Sequence, residues 1–410
     1  NKITPNPAKV LDLDWATNCV VNLIKGWTEE IKLILEELGF KRLKDIVGRR
    51  DLLRGYNMNY ETLEILGIEG AENGSSIPLI VEENLWSDYR KKWLQEIAGT
   101  LGKTGSEAQI ASMGNISPPF VNDPARITDW LVSDGAQVTR PSIDPYREEI
   151  ETSVYLGNIR LSCPIIFGPF KDDLPLELLE VFLRVANSMG LLMDMGERTY
   201  LPFKEAFLER AIVDEYSDAK NYAAVVLHNI SSTKRGINLI RLPSKESSVN
   251  QAIEASLRGI NGIIIDEDLK DSDTPAELII SDIDKSLRRI LRDNLPLRNF
   301  VNLILVSSKV RGSDDVFKLM GLGADLVGLS KAALIAVGIE DNLNNLDLQG
   351  IEYRLENLIF AMIKEIKLLA GAAGVSNLYT SLVGSRELFR SLDLDPVIRK
   401  RLGVKPAGVG

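Results

Sequence analysis

The stretch VNLILVSSKVRGSDDVFKLMGLGADLVGLSKAALIAVG, Val301 to Gly338, decides the fold of this chain. It opens on a continuous apolar run, Val301–Val306, of the kind that forms a buried parallel strand. A turn and a short helix, Val316–Gly321, follow. A second buried strand is predicted at Ala324–Leu329, with a helix at Lys331–Val337. Two consecutive strand–loop–helix units predict adjacent parallel strands near the close of an α/β barrel.

The loops that follow these two strands are candidates for binding a phosphate. Both lead into helix N-termini, where free backbone N–H groups and the helix dipole attract anions. The last two strand–helix loops of a TIM barrel often form such a site. Ordinary barrel turns without a ligand are the alternative, because a fold does not define a function. The candidate cofactor-binding residues are Ser307, Ser308, Arg311, Gly312, Ser313, Gly328, Ser330 and Lys331.

Length, charge and composition limit the classes of function. The chain has 410 residues, a net charge of −10 and 45% hydrophobic residues, enough for a large core with additional modules. The acidic balance argues against a nucleic-acid partner, because phosphates require a basic surface. Neither a transmembrane run nor a signal peptide is recognisable, so we expect a cytoplasmic protein without a membrane partner.

Residue types that bind transition metals are scarce. His228 is the only histidine, and Cys19 and Cys163 are the only cysteines. Two cysteines are too few for an iron–sulfur cluster, and a single histidine excludes multi-histidine zinc sites. We therefore expect neither an iron–sulfur cluster nor zinc.

A helical segment near the N-terminus recurs near the C-terminus. VNLIKGWTEEIKLILEELGFKRLKDIVGRRDLLRG, from Val21, matches ENLIFAMIKEIKLLAGAAGVSNLYTSLVGSRELFRS, from Glu356, with one extra residue in the second copy. We predict the same helical fold for Val21–Arg54 and Glu356–Arg390, packed against the barrel or against each other. The identical pairs are Asn22 and Asn357, Glu30 and Glu365, Ile31 and Ile366, Lys32 and Lys367, Gly39 and Gly374, Leu43 and Leu378, Gly48 and Gly384, Arg50 and Arg386, Leu52 and Leu388, and Arg54 and Arg390.

Three motifs resemble the FMN-binding barrel of the glutamate synthase large-subunit family, archaeal type. They are GLGADLVGLSKAALIAVG (Gly321–Gly338), RPSIDPYREEIETSVYLG (Arg140–Gly157) and CPIIFGPF (Cys163–Phe170). The helical segment Tyr353–Gly371 is similar to the one that follows that barrel. The resemblance implies a TIM-barrel-like (β/α)8 fold with helical N- and C-terminal modules. Only seven strands are predicted here, so we expect the barrel to be shortened or incomplete.

Four segments follow from these observations. Residues 1–76 form a helical module, the first copy of the repeat, and residues 77–150 form a pre-barrel segment with a Gly/Ser/Pro-rich linker at 102–124. The FMN-type barrel is expected at 151–340 and the second helical module at 341–410.

The resemblance also implies an activity, namely flavin-dependent reduction of 2-iminoglutarate to glutamate in amino-acid biosynthesis. FMN would be the cofactor, and Lys234 and Asp266 would be the catalytic residues. This sequence departs from the family pattern, because Ser308 and Lys309 replace glycines of the phosphate loop and the three iron–sulfur cysteines are absent. If lysines fill the cradle between the loops, we expect them to pair with acids such as Asp266 or Glu267.

Several hypotheses about function stay open at this point. The chain is either a glutamate synthase-like flavin oxidoreductase with a diverged site, or a barrel without cofactor that serves as a structural or regulatory subunit beside an active homologue. An unrelated barrel enzyme acting on sugar phosphates is a third possibility. We expect a homo-oligomer or an assembly with other glutamate synthase-type subunits.

Overall fold

The computed structural model of the chain describes residues 12–56, 60–69, 71–72, 85–101, 125–170, 174–232, 234–339 and 346–407. The predicted linker at 102–124 lies outside these ranges. The chain divides into two compact units, Asn1–Ile77 and Pro78–Val409. None of the helices within the described ranges is long and apolar enough to cross a lipid bilayer.

The first unit begins with a long helix. Asp12 caps it, because its side chain accepts hydrogen bonds from the backbone N–H groups of Asp14 and Trp15, both at 3.0 Å. Gly39, with φ of +76°, follows the end of the helix. The elements are α1 (Leu13–Glu37), 3₁₀ turns at Leu43–Asp45 and Arg50–Leu52, β1 (Gly55–Tyr56), α2 (Tyr60–Leu66) and β2 (Ala71–Glu72), with β1 and β2 paired in parallel.

The second unit starts with the segment that precedes the barrel. It contains α3 (Asp88–Glu96), a π-helical turn at Ile97–Leu101, a 3₁₀ turn at Ile127–Trp130, β3 (Leu131–Ser133) and an antiparallel hairpin of β4 (Val154–Leu156) and β5 (Ile159–Leu161). The first two residues of the 3₁₀ turn, Ile127 and Thr128, are buried, so the turn is packed into the core.

Eight parallel strands form a closed barrel. In chain order they are β6 (Ile165–Phe167), β7 (Leu192–Asp194), β8 (Ala211–Asp214), β9 (Ala224–Leu227), β10 (Ile237–Pro243), β11 (Gly262–Asp266) and, after a hairpin of β12 (Leu291–Arg292) and β13 (Leu295–Pro296), β14 (Asn302–Ser307) and β15 (Leu326–Leu329). Each strand pairs with the next, and β15 pairs with β6 to close the ring. The predicted (β/α)8 class is confirmed, as is the adjacent parallel pair β14 and β15.

The prediction of seven strands was wrong. The missed strand is β8, whose four residues are all buried and which follows a short helix almost directly. Such a short apolar run has no periodicity that separates strand from helix. The barrel is therefore complete in its strands.

The helical layer around the barrel is thinner on one side. Its helices are α4 (Leu176–Met189), α5 (Glu205–Leu208), α6 (Ser247–Leu257), α7 (Ala276–Arg289), α8 (Ser313–Leu322) and α9 (Lys331–Ala336). Within the described residues, no helix connects β8 to β9 or β9 to β10.

A helical module follows the barrel and packs on its outside. It consists of α10 (Leu348–Ala373), α11 (Leu378–Ser381), a 3₁₀ turn at Arg386–Leu388, β16 (Phe389–Ser391), α12 (Pro396–Leu402) and β17 (Lys405–Pro406). The strand β16 pairs antiparallel with β3 and parallel with β17, which joins the segments before and after the barrel in one small sheet. The inner face of α10 is buried against α4, α8 and α9.

The contact between α8 and β16 leaves no room for a side chain at Gly321. A Cβ atom added there would lie 1.9 Å from a ring carbon of Phe389, which is fully buried. We expect Gly321→Ala to lower the free energy of unfolding by about 1–3 kcal/mol through overpacking. Gly135→Ala is the control, because nothing lies within 4 Å of its added Cβ. Urea unfolding curves that coincide for both variants would contradict the prediction.

Candidate functional site

The two predicted phosphate-binding loops lie side by side at the C-terminal end of the barrel. The end of β14 is paired with the end of β15, Ser307 with Leu329, and the loops lead into α8 and α9. Gly328 belongs to the barrel wall, where an added Cβ would come within 2.7 Å of Val306 and 2.8 Å of the Gly168 carbonyl oxygen. Packing of neighbouring strands therefore accounts for this glycine.

Arg311 is buried at the base of the first loop and surrounded by carboxylates. Its Nε donates to Oδ2 of Asp315 at 2.8 Å, and its Nη2 donates to Oδ1 of the same residue at 2.8 Å. Its Nη1 and Nη2 also donate to the two carboxylate oxygens of Asp129 at 2.8 and 2.6 Å. The guanidinium thus clamps the 3₁₀ turn at Ile127–Trp130 to the loop before α8. We call Arg311, Asp129 and Asp315 the arginine clamp.

The arginine clamp sets the ionisation of its two acids. Burial by itself would raise the pKa of Asp315 and of Asp129, but the charge and hydrogen bonds of Arg311 outweigh burial and lower both pKa values. Both carboxyl groups are therefore charged at neutral pH. Arg311 cannot turn toward a ligand without breaking its ion pairs with two buried carboxylates, which is strongly unfavourable.

Acidic side chains accept hydrogen bonds from Ser307 and Ser308 at the start of the first loop. Ser308 donates its backbone N–H to Asp268 at 2.6 Å and its hydroxyl to the other carboxylate oxygen at 2.7 Å. The hydroxyl of Ser307 donates to Glu267 at 2.6 Å, and Nζ of Lys309 lies 3.6 Å from the same carboxylate. The expected pairing of a loop lysine with Glu267 is thus present for Lys309.

Residues outside the barrel lie close to the remaining residues of the two loops. An added Cβ on Gly312 would lie 3.6 Å from two ring carbons of Trp93 in α3. Nζ of Lys331 lies 5.4 Å from the centre of the Trp86 ring, at cation–π distance. The hydroxyl of Ser313 donates to Glu365 of α10.

Ser330 occupies the N-cap position of α9. It is buried and makes no capping hydrogen bond through its side chain. Gly312, Ser313 and Lys331 also lie close to other residues of the chain. Both the second loop and the end of the first loop are therefore in contact with the protein's own residues.

An ion triad crosses the C-terminal opening of the barrel. Arg241 of β10 donates to Asp194, at the end of β7, at 2.6 Å and to Asp266, at the end of β11, at 2.7 Å. The strands β7 and β11 lie on opposite sides of the ring. Burial raises the pKa of Asp266 even beside Arg241, whose charge is shared with Asp194. The predicted catalytic acid is therefore one end of a bridge across the barrel.

A polar cavity of about 530 Å³ opens beside the triad, at the side of the barrel with short connections. Its lining includes His228, Arg241 and Arg258. Nε2 of His228 lies 2.6 Å from Oδ2 of Asp214, and Arg258 donates to Glu254 at 2.7 Å. The three basic side chains named here each have an acidic partner, so the cavity offers no unbalanced positive charge from them.

Lys234, the second predicted catalytic residue, lies away from Asp266. Its backbone N–H donates to the side chain of Asn238 at 2.8 Å, near the start of β10, and its side chain is exposed. Asp266 is paired with Pro243, at the other end of that strand. Six residue steps separate Ile237 and Pro243, the two ends of β10, which corresponds to roughly 20 Å. The structure does not bring Lys234 and Asp266 together.

Sequence analysis missed several residues that shape this site. Asp129 and Trp93 come from the pre-barrel segment, and nothing in their local sequence marks them as contacts of a barrel loop. Asp268 was also missed, although a signal was visible: the acidic run Asp266-Glu267-Asp268 stands at the end of a predicted strand and therefore at the ligand end of the sheet.

Comparison with known proteins identifies relatives over most of the chain. Residues 83–161 match the family described as the glutamate synthase central domain. An archaeal-type glutamate synthase [NADPH] from Dehalococcoides mccartyi is 30% identical over 395 residues, covering 68% of this chain and 78% of that protein. One from Thermotoga neapolitana is 23% identical over 418 residues, covering 73% and 80%. Among solved structures, a flavocytochrome b2 variant with pyruvate bound has a TM-score of 0.48 at 14% identity and covers 78% of this chain and 85% of that one.

The fold defines the class of this protein as a parallel eight-stranded barrel with an attached helical module. The relative from Dehalococcoides mccartyi shares nearly a third of its residues with the chain over more than three quarters of its own length. The chain belongs to the glutamate synthase family, as the three motifs indicated.

Breaking the arginine clamp should destabilise the chain. We expect Arg311→Met to lower the free energy of unfolding by about 3–5 kcal/mol, because two buried carboxylates lose their partner. Arg160→Met is the control, since its pair with Glu151, 3.4 Å apart, is largely exposed and should contribute less than about 1 kcal/mol. Urea unfolding at neutral pH measures both. Equal losses for the two variants would contradict a stabilising clamp.

The clamp also predicts how stability depends on pH. The pKa values of Asp129 and Asp315 are lower in the folded state than the unfolded value of about 3.9, so the folded state binds fewer protons there. Their contribution is present above that pH and is lost as the pH falls through the lowered values. The free energy of unfolding should therefore decrease more steeply below about pH 4 in the wild type than in Arg311→Met. Parallel pH profiles of the two proteins would refute this assignment.

Proposed function

We propose that this chain is a barrel subunit of a glutamate synthase-type assembly that does not bind flavin, and that its role beside an active homologue is structural or regulatory. The observation that carries the proposal is the contact between Asp268 and Ser308, because a carboxylate there accepts the hydrogen bonds that a phosphate would need. Family membership supplies the kind of assembly.

The residues of the two loops do not fit the phosphate of FMN. A phosphate beside Ser307 and Ser308 would meet the carboxylates of Glu267 and Asp268. Two like charges about 4 Å apart repel by about 4 kcal/mol near a protein surface. Arg311, the cation expected to compensate, is held by its own two acids. The charge balance at the loops therefore disfavours an anion.

A flavin-dependent oxidoreductase is the second candidate, and the names of the relatives favour it, since both are called glutamate synthases. FMN would supply the redox chemistry in that case. Its phosphate would be held by the predicted loop residues, with Lys331 as the remaining exposed cation. Asp268 and Trp93 would have to move away from the loops first. Lys234 would have to approach Asp266 from the other end of β10.

A titration with FMN separates the two candidates. Quenching of flavin fluorescence is followed while the purified chain is added, and we expect no saturable binding at high micromolar FMN. Asp268→Ala removes the carboxylate that accepts the hydrogen bonds of Ser308. Ser308 could then donate to the phosphate of FMN, and such a charge-assisted hydrogen bond contributes about 1.5–3 kcal/mol. This variant should therefore bind FMN at least about 10-fold more tightly than the wild type. Asp271→Ala is the matched control, because it removes an exposed acid of the same loop.

If the chain is purified yellow with stoichiometric FMN, or if the wild type quenches flavin fluorescence saturably, the chain binds flavin. Either result would contradict the proposal and favour the flavin-dependent oxidoreductase. If Asp268→Ala and Asp271→Ala behave alike, the carboxylate is not what excludes the phosphate.

A further inference from the structure

The helical modules at the two ends of the chain have the same order of elements. Each consists of a long helix, two short helical turns, a strand, a seven-residue helix and a second strand. The two strands are paired in parallel in each module. In both modules a glycine follows the long helix, another lies between the two short turns, and a third follows the seven-residue helix. These glycines share their backbone conformation, with φ between +65° and +81° at Gly39, Gly48, Gly67, Gly374, Gly384 and Gly403.

In the C-terminal module, α10 uses one face to bind the barrel. This face carries five apolar side chains that are at most 1% exposed, and it packs on α4, α8 and the turn at Ile97–Leu101. Its residues are Leu355, Leu358, Ile359, Met362 and Ile366. Two polar residues of the same helix add specific contacts. Asn357 donates to the backbone carbonyl oxygen of Ala98 at 3.0 Å, and Glu365 accepts from the hydroxyl of Ser313 at the start of α8.

The matched face of α1 is apolar in the same positions, but it is exposed. Its residues are Val20, Leu23, Ile24, Trp27 and Ile31, and they are between 38% and 60% exposed. The two polar positions are retained as well, as Asn22 and Glu30. Burying one such apolar side chain contributes about 1.5–3 kcal/mol, so an uncovered face of this size marks an interaction surface.

The matched residues identify what covers this face. A face that repeats both the apolar and the polar positions of α10 fits the outer helices of a second glutamate synthase-type barrel. On the barrel of this chain that surface is filled by α10. A second copy of the chain has the same surface filled in the same way, so it cannot be the partner without losing its own α10 contacts.

We propose that α1 docks on a second barrel of the glutamate synthase family, against the helices that correspond to α4 and α8. Glu30 would accept a hydrogen bond from a hydroxyl at the start of the α8-like helix, and Asn22 would donate to a backbone carbonyl group. The inference takes the partner's family from the proposed function. A chain that bound FMN and still docked through α1 would refute the proposed function and leave this inference standing.

Cys19 offers a site for a chemical probe beside this face. It is exposed and lies one helical turn before Leu23, whereas Cys163 is buried. The full chain, labelled at Cys19 with a photoreactive maleimide, is irradiated in an extract of the organism that encodes it, and cross-linked peptides are identified by mass spectrometry. We expect cross-links to the outer helices of a second glutamate synthase-type barrel.

A matched pair of variants tests the face itself. Leu23→Asp places a charge in this face, and Leu33→Asp makes the same change outside it, roughly 140° around α1 from the middle of the face, where the side chain is 63% exposed. Against the purified partner barrel, calorimetric titration should give at least a 10-fold weaker affinity for Leu23→Asp and a change of less than 3-fold for Leu33→Asp. Circular dichroism should show wild-type helix content in both.

Other outcomes would overturn the proposal. These are the absence of any cross-link, cross-links confined to the chain itself or to an unrelated protein, and equal affinities of the two variants. A homodimer in light scattering that dissociates in Leu23→Asp but not in Leu33→Asp would identify a second copy as the occupant, which also contradicts it.

Discussion

The buried charge of Arg311 is the constraint around which the ligand end of this barrel is arranged. A guanidinium that is 2% exposed must be neutralised, and Asp129 and Asp315 do so from a segment before the barrel and from the helix after β14. The clamp therefore fixes the pre-barrel turn on the barrel. It also fixes the loop that leads into α8, and this removes the loop's cation from the reach of a ligand.

Near Arg311, other side chains at this end of the barrel also form ion pairs and hydrogen bonds with each other. Ser307 and Ser308 donate to Glu267 and Asp268, so two hydroxyl groups and one backbone N–H group at the start of the first loop are used within the protein. Across the opening, Arg241 is shared between two acids. Pairing of these particular charged groups within the chain lets this end of the barrel hold its shape without a cofactor, which is the property that a structural subunit requires.

The fold was largely predictable because its signals are local. The apolar run before Ser307 and the run Gly262–Asp266 are each long enough to specify a buried strand, and the structure has strands at both. The strand Ala211–Asp214 was missed because its four residues are all buried. So short an apolar run shows no hydrophobic periodicity that would distinguish a strand from a helix. The resemblance of the two modules was visible in sequence because it rests on identical residues at matched positions.

The sequence by itself determined the barrel class, the order of most strands, the adjacency of the two last loops and the family. The tertiary structure decided what those loops do. Asp268 reaches Ser308 across 40 residues of chain, and Asp129 reaches Arg311 across 182. Contacts over such separations leave no periodic pattern in the sequence, since they depend on how distant segments pack. Whether a loop cation faces a ligand or a buried carboxylate is therefore settled only when the chain has folded.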